Sequence, residues 1–73
     1  MDKQLQSQYD AGMQWARSLK AGDKFIGAND AAIASGLQQD TPAYRLFVMG
    51  ARDMFSLFVN VATDMDGIII EIW

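Results

Sequence analysis

Seventy-three residues leave room for one domain and no second core. With no Cys and no His, the chain cannot build disulfides or any zinc centre that uses those ligands. A hydrophobic fraction of 51% argues against disorder. A net charge of −3 with six Lys and Arg argues against nucleic acid or an anionic membrane as a direct partner.

A core of this size seldom supplies more than roughly 3–5 kcal/mol. With disulfides and zinc removed, the expected reinforcement is another protein chain, either a second copy or a larger partner.

The opening Met1-Asp2-Lys3-Gln4-Leu5-Gln6 lacks a basic segment followed by an apolar one, so no signal peptide is read and the cytoplasm is the expected location. The first helix is predicted over Lys3 to Lys20, with Asp2 as N-cap and Gly22 as its stop. Leu5, Tyr9, Gly12, Met13, Ala16 and Leu19 recur at three- and four-residue spacing, giving one apolar stripe with Trp15 at its edge, expected in the core. Gly22-Asp23 then turns the chain into a short extended piece, Lys24-Phe25-Ile26. Asn29 or Asp30 is expected to cap a short helix from Ala31 to Leu37.

Thr41-Pro42 opens the main helix, predicted to run to about Ala62, because Thr is a good N-cap and Pro suits the first helical position. One wide face carries Tyr44, Phe47, Val48, Ala51, Met54, Phe55, Phe58 and Val59. A second carries Leu46, Gly50, Leu57 and Val61. The polar stripe is narrow: Arg45, Arg52, Asp53, Ser56, Asn60 and Thr63, with Met49 in its middle. The stretch from Ala43 to Ala62 is about long enough to span a bilayer, but Arg52 and Asp53 fall at its centre, so no membrane span is read. One first helix cannot cover both apolar faces, so the C-terminal tail or another chain is expected on the second.

A turn over Thr63-Asp64-Met65-Asp66-Gly67 leads into Ile68-Ile69-Ile70-Glu71-Ile72-Trp73, whose β-branched run favours a strand. The run does not alternate, so burial is expected on both faces. Its expected partner is Lys24-Phe25-Ile26, the same strand of a second copy, or a sheet edge on a target. The fold class is therefore α+β: one small domain of two main helices and a short third, with a C-terminal strand paired to a short strand or across a dimer.

Without His or Cys, no residue pattern assembles nucleophile and base, and no enzyme is read. Asp64-Met65-Asp66-Gly67 suggests part of a calcium loop. Aligned on Gly67, however, the first and twelfth positions are Ala62 and Trp73, which are not ligands, so a turn is preferred and no metal or cofactor is expected. Arg45 and Arg52 share a helix face two turns apart. Met49 sits between them, where a core role is hard to assign, and Met and Arg are enriched at interfaces. The partner-binding candidates are thus Arg45, Met49 and Arg52, with Asp64, Asp66 and Glu71 as a local acidic cluster. The self-association candidates are Leu46, Gly50, Leu57, Ile68, Ile70, Ile72 and Trp73.

Tyr9-Asp10-Ala11-Gly12, followed later by Gly50-Ala51-Arg52-Asp53, loosely resembles the pattern of ribosome modulation factors over eight positions. The resemblance implies a small two-helix protein that binds ribosomes. This chain differs from that family in its acidic balance, its long middle segment and its C-terminal strand. Three readings follow. The first is a non-enzymatic module that binds a larger host protein or complex, of the kind found among phage and mobile-element inhibitors such as anti-CRISPR and anti-restriction proteins. The second is a structural homo-oligomer, most simply a homodimer. The last is a ribosome-associated factor.

Overall fold

Two amphipathic stretches frame the molecule. The computed structural model describes residues 3–73, and in it they form α1 (Lys3–Arg17) and α3 (Pro42–Leu57). Between them lies α2 (Ala28–Ala34), and β1 (Val61–Thr63) and β2 (Ile69–Ile72) follow as an antiparallel pair. The α+β class holds. Asp2, expected to cap α1, lies outside the described residues. Among the described residues, no helix is long and apolar enough to cross a membrane.

The helix starts follow local chemistry. Thr41 Oγ1 accepts from the Tyr44 backbone N–H at 3.3 Å, and Pro42 takes the first helical position, where its missing N–H is not needed. α2 begins earlier than expected. Gly27 stands at its N-cap without a side-chain bond, which places Asn29 and Asp30 inside the first turn.

α1 and α3 run in the same general direction. Ala43 at the start of α3 lies in a groove with Leu5 and Gln8 of α1, and near the other ends Trp15 meets Phe55 edge-on with ring centroids 5.7 Å apart. The helices touch backbone to backbone at two glycines. A Cβ on Gly12 would overlap the Phe47 carbonyl oxygen and stand 3.0 Å from the Ala51 nitrogen. A Cβ on Gly50 would overlap the Tyr9 carbonyl oxygen. A glycine Cα–H aimed at a facing carbonyl is a weak hydrogen bond, which gives this approach direction as well as proximity. Gly50, proposed above for self-association, is therefore buried inside the chain beneath Tyr9.

This contact corrects the expected coverage of α3. Gly50 and Phe47 meet α1, while Tyr44, Phe47 and Val48 form one buried cluster with Ala31 and Ala32 of α2. The two helices share the broad surface of α3, while Leu57 at its end stays 70% exposed. Trp15, Phe25, Phe47 and Phe55 close the side of that core, with centroids 5.7–6.5 Å apart in tilted or edge-on pairs.

The C-terminal strand finds a partner the sequence reading did not name. α3 stops at Leu57, short of the predicted Ala62, and Val61, Ala62 and Thr63 pair with Ile72, Glu71 and Ile69, with an irregularity in register between Ala62 and Thr63. The run of β-branched residues at the chain end needs a partner for its backbone, and its nearest neighbour in sequence supplies one. Between the strands, Asp64 Oδ1 accepts from the N–H groups of Asp66 (2.9 Å) and Ile68 (3.0 Å), and Gly67 takes a φ of 81° that few side chains tolerate. The anticipated segment contributes too, though only as a bridge. Lys24 pairs with Ile68, Phe25 N–H donates to Gly67 O, and Asp23 O accepts from Ile69 N–H.

The Ile run is buried unevenly rather than on both faces. Ile69 is 1% exposed and Ile70 is 60% exposed. Truncating Ile69 to Ala is expected to cost about 2–4 kcal/mol, and truncating Ile70 within about 0.5. Gly12→Ala and Gly50→Ala should each lose about 2–3 kcal/mol, because a methyl there meets backbone that cannot turn aside. Chemical denaturation of the four variants measures these differences, and equal costs at Ile69 and Ile70 would contradict the uneven burial.

Candidate functional site

On the outward side of α3, Arg45, Met49 and Arg52 recur at i, i+4 and i+7, so they stand in one row about 10 Å long. They line a groove of about 320 Å³ with Asn29 from the first turn of α2, Tyr44, Val48 and Asp53. Tyr44 and Val48 are buried members of the core cluster and form an apolar floor, and Met49 above them is 51% exposed.

Both arginines are exposed, and neither makes an ion pair or side-chain hydrogen bond among the described residues. Asp53 is the carboxylate in the groove wall and adjoins Arg52 in sequence. Its Oδ2 accepts instead from the Tyr9 hydroxyl at 2.5 Å, across the crossing of α1 and α3. The groove thus presents two unpaired guanidinium groups around a sulfur-bearing apolar side chain. Guanidinium groups bind carboxylates through paired N–H donors, and a half-exposed Met offers a soft surface that adapts to an apolar anchor.

The Tyr9 hydroxyl titrates above its ordinary value. The hydrogen bond it donates to Asp53 is the largest cause, followed by desolvation and by the negative charges of Asp53 and Asp10. A second groove, of about 470 Å³, is lined by Lys3, Gln4, Leu5, Ser7, Gln8 and Ala43, and it brings no set of charged groups together.

The acidic candidates do not join the basic row. Asp64 and Asp66 sit at the tip of the β1–β2 hairpin on either side of Met65, whose side chain is fully exposed. Glu71 lies on β2 opposite Ala62. The self-association candidates scatter as well. Leu46 and Ile72 are half-buried, Ile68 is half-buried in its bridge to Lys24, and Gly50 is inside the helix crossing. Leu57, Ile70 and Trp73 remain exposed. Trp73 pairs its backbone with Asn60 of the same chain, with N···O distances of 2.8 and 3.0 Å.

Asn29 was missed as a groove residue, and Tyr9 as the partner of Asp53 in the groove wall. Tyr9 reads as one more member of the α1 stripe, and its bond to Asp53 spans 44 positions, a separation no local pattern encodes.

No family model, curated protein sequence or solved structure matches the chain. Five of the eight positions that resemble ribosome modulation factors lie at the helix contact. Tyr9, Gly12, Gly50, Ala51 and Asp53 meet where α1 packs on α3.

The raised Tyr9 value gives a stability prediction with a defined sign. The unfolded chain releases this proton first, so the contribution is fully present below pH 10 and is lost as pH rises through the higher folded value. The unfolding midpoint of the wild type should fall more steeply between about pH 9.5 and 11 than that of Tyr9→Phe. Parallel curves would show that the hydroxyl–carboxylate bond adds nothing.

Proposed function

We propose that this chain is a non-enzymatic protein-binding module that acts by occupying the surface of a larger host protein, as small phage and mobile-element inhibitors do. The observation that carries this reading is the row Arg45–Met49–Arg52, two unpaired arginines around a half-exposed Met over a buried apolar floor. Such a row suits a protein surface that offers an apolar side chain between carboxylates. Arginine and methionine are over-represented at interfaces because each contributes contact area as well as polar or polarizable contacts. The acidic balance of the rest of the chain disfavours competing attachment to nucleic acid, so the basic row stands out locally.

A photo-crosslinking residue at Met49, introduced in cells of the source organism, is expected to capture a defined protein partner. Arg45→Glu combined with Arg52→Glu should reduce capture by at least tenfold while the unfolding midpoint stays unchanged. Capture that survives charge reversal would place docking elsewhere on the molecule.

A further inference from the structure

The hairpin tip and the groove are complementary. In the groove, Met49 stands between Arg45 and Arg52. At the tip, Met65 stands between Asp64 and Asp66. We infer that the groove accepts the Asp64–Met65–Asp66 tip of a second copy of this chain, Met65 seating on Met49 while the arginines take the two carboxylates. The inference rests on the groove being a protein-docking site and names one occupant for it.

Three observations support that occupant. Met65 is fully exposed, with 103% of its reference surface open to solvent, so nothing in its own chain explains its apolar side chain. The tip is held rigid by its own turn. Asp64 Oδ1 accepts two backbone N–H groups and Gly67 N–H donates to Asp64 O at 3.1 Å, so little conformational freedom is lost when it docks. Its acidic side chains remain available: Asp66 makes no side-chain hydrogen bond or ion pair among the described residues, and Asp64 uses only Oδ1. Opposite the tip, Asp53 keeps its negative charge but takes its hydrogen bond from the Tyr9 hydroxyl and makes no ion pair with either arginine, so their N–H donors remain open to an incoming carboxylate.

The sheet edges are a poorer route to self-association. Gly22–Phe25 already bonds beside Gly67–Ile69, and an antiparallel copy centred on Glu71 would set two carboxylates face to face. A tip-in-groove contact joins two different surfaces, so the pair retains one free tip and one free groove unless it closes reciprocally. The surface involved is small, which places association in the weak class that forms at high micromolar concentration.

The test is light scattering on the full chain, whose monomer mass is 8.1 kDa. The wild type at low salt should rise above monomer mass between about 10 μM and 1 mM, and about 0.5 M salt should weaken association roughly tenfold as screening shortens to a few ångströms. Two variants separate the surfaces: Arg45→Glu with Arg52→Glu in the groove, and Met65→Ser with Asp66→Lys at the tip. Asp64 is left in place because it holds the turn. Circular dichroism and unfolding midpoints confirm that both variants fold. Each variant alone should remain monomeric, and an equimolar mixture should form one-to-one pairs through the intact tip of one and the intact groove of the other. A wild type that is monomeric at 1 mM in low salt overturns the inference, as does a mixture that does not pair while the wild type associates. If the wild type is monomeric and charge reversal still abolishes capture of a host partner, the groove stands as a docking site and only self-docking falls.

Discussion

The rest of the structure depends on the backbone contact between α1 and α3. Gly12 lies against the Phe47 carbonyl and Gly50 against the Tyr9 carbonyl, so each helix offers a notch where the other offers main chain. Small cores gain little from bulky side chains alone, because too few of them can be fully enclosed. Bringing two backbones together lets every neighbouring residue pack more closely. Ala16, Ala51 and Met54, all at or near zero exposure, surround this approach. It also sets which side of α3 faces solvent.

That outward side carries the chemistry. With the broad face of α3 turned toward α1 and α2, the remaining strip holds Arg45, Met49 and Arg52. The crossing does a second thing there. By bringing the Tyr9 hydroxyl to Asp53, it commits the carboxylate nearest the arginines to another bond. Asp53 keeps its charge there, but its hydrogen-bond partner is Tyr9 rather than Arg52, so the Arg52 donors stay open. The fold and the binding surface are therefore linked by one hydrogen bond at the edge of the helix contact.

The hairpin shows how a short apolar strand is kept from becoming a hazard. β2 is only four residues long, one neighbour covers each side for part of its length, and Glu71 interrupts its apolar run. Short edge strands with inserted charge discourage unplanned pairing. The same hairpin projects Met65 into solvent between two carboxylates, so a segment that avoids pairing through its edge still presents a specific surface at its tip.

Much of this was legible in the residues. The Thr41-Pro42 helix start, the stripe of α1, the turn over Asp64 to Gly67 and the strand character of the Ile run all express local preferences, set by steric and hydrogen-bonding rules acting over a few positions. The row Arg45–Met49–Arg52 was legible too, because helical periodicity alone places those residues on one face. Other features needed the tertiary structure. Where α3 ends was decided by β2, since Val61–Thr63 suits helix or strand and only the unpaired backbone of the Ile run chooses between them. The burial of Gly50 beneath Tyr9 and the bond from Tyr9 to Asp53 both join positions far apart in the chain. Sequence determined which faces each element has to offer. The packing of those faces decided which were buried and which were left to bind, because that depends on contacts between distant segments that no local pattern records.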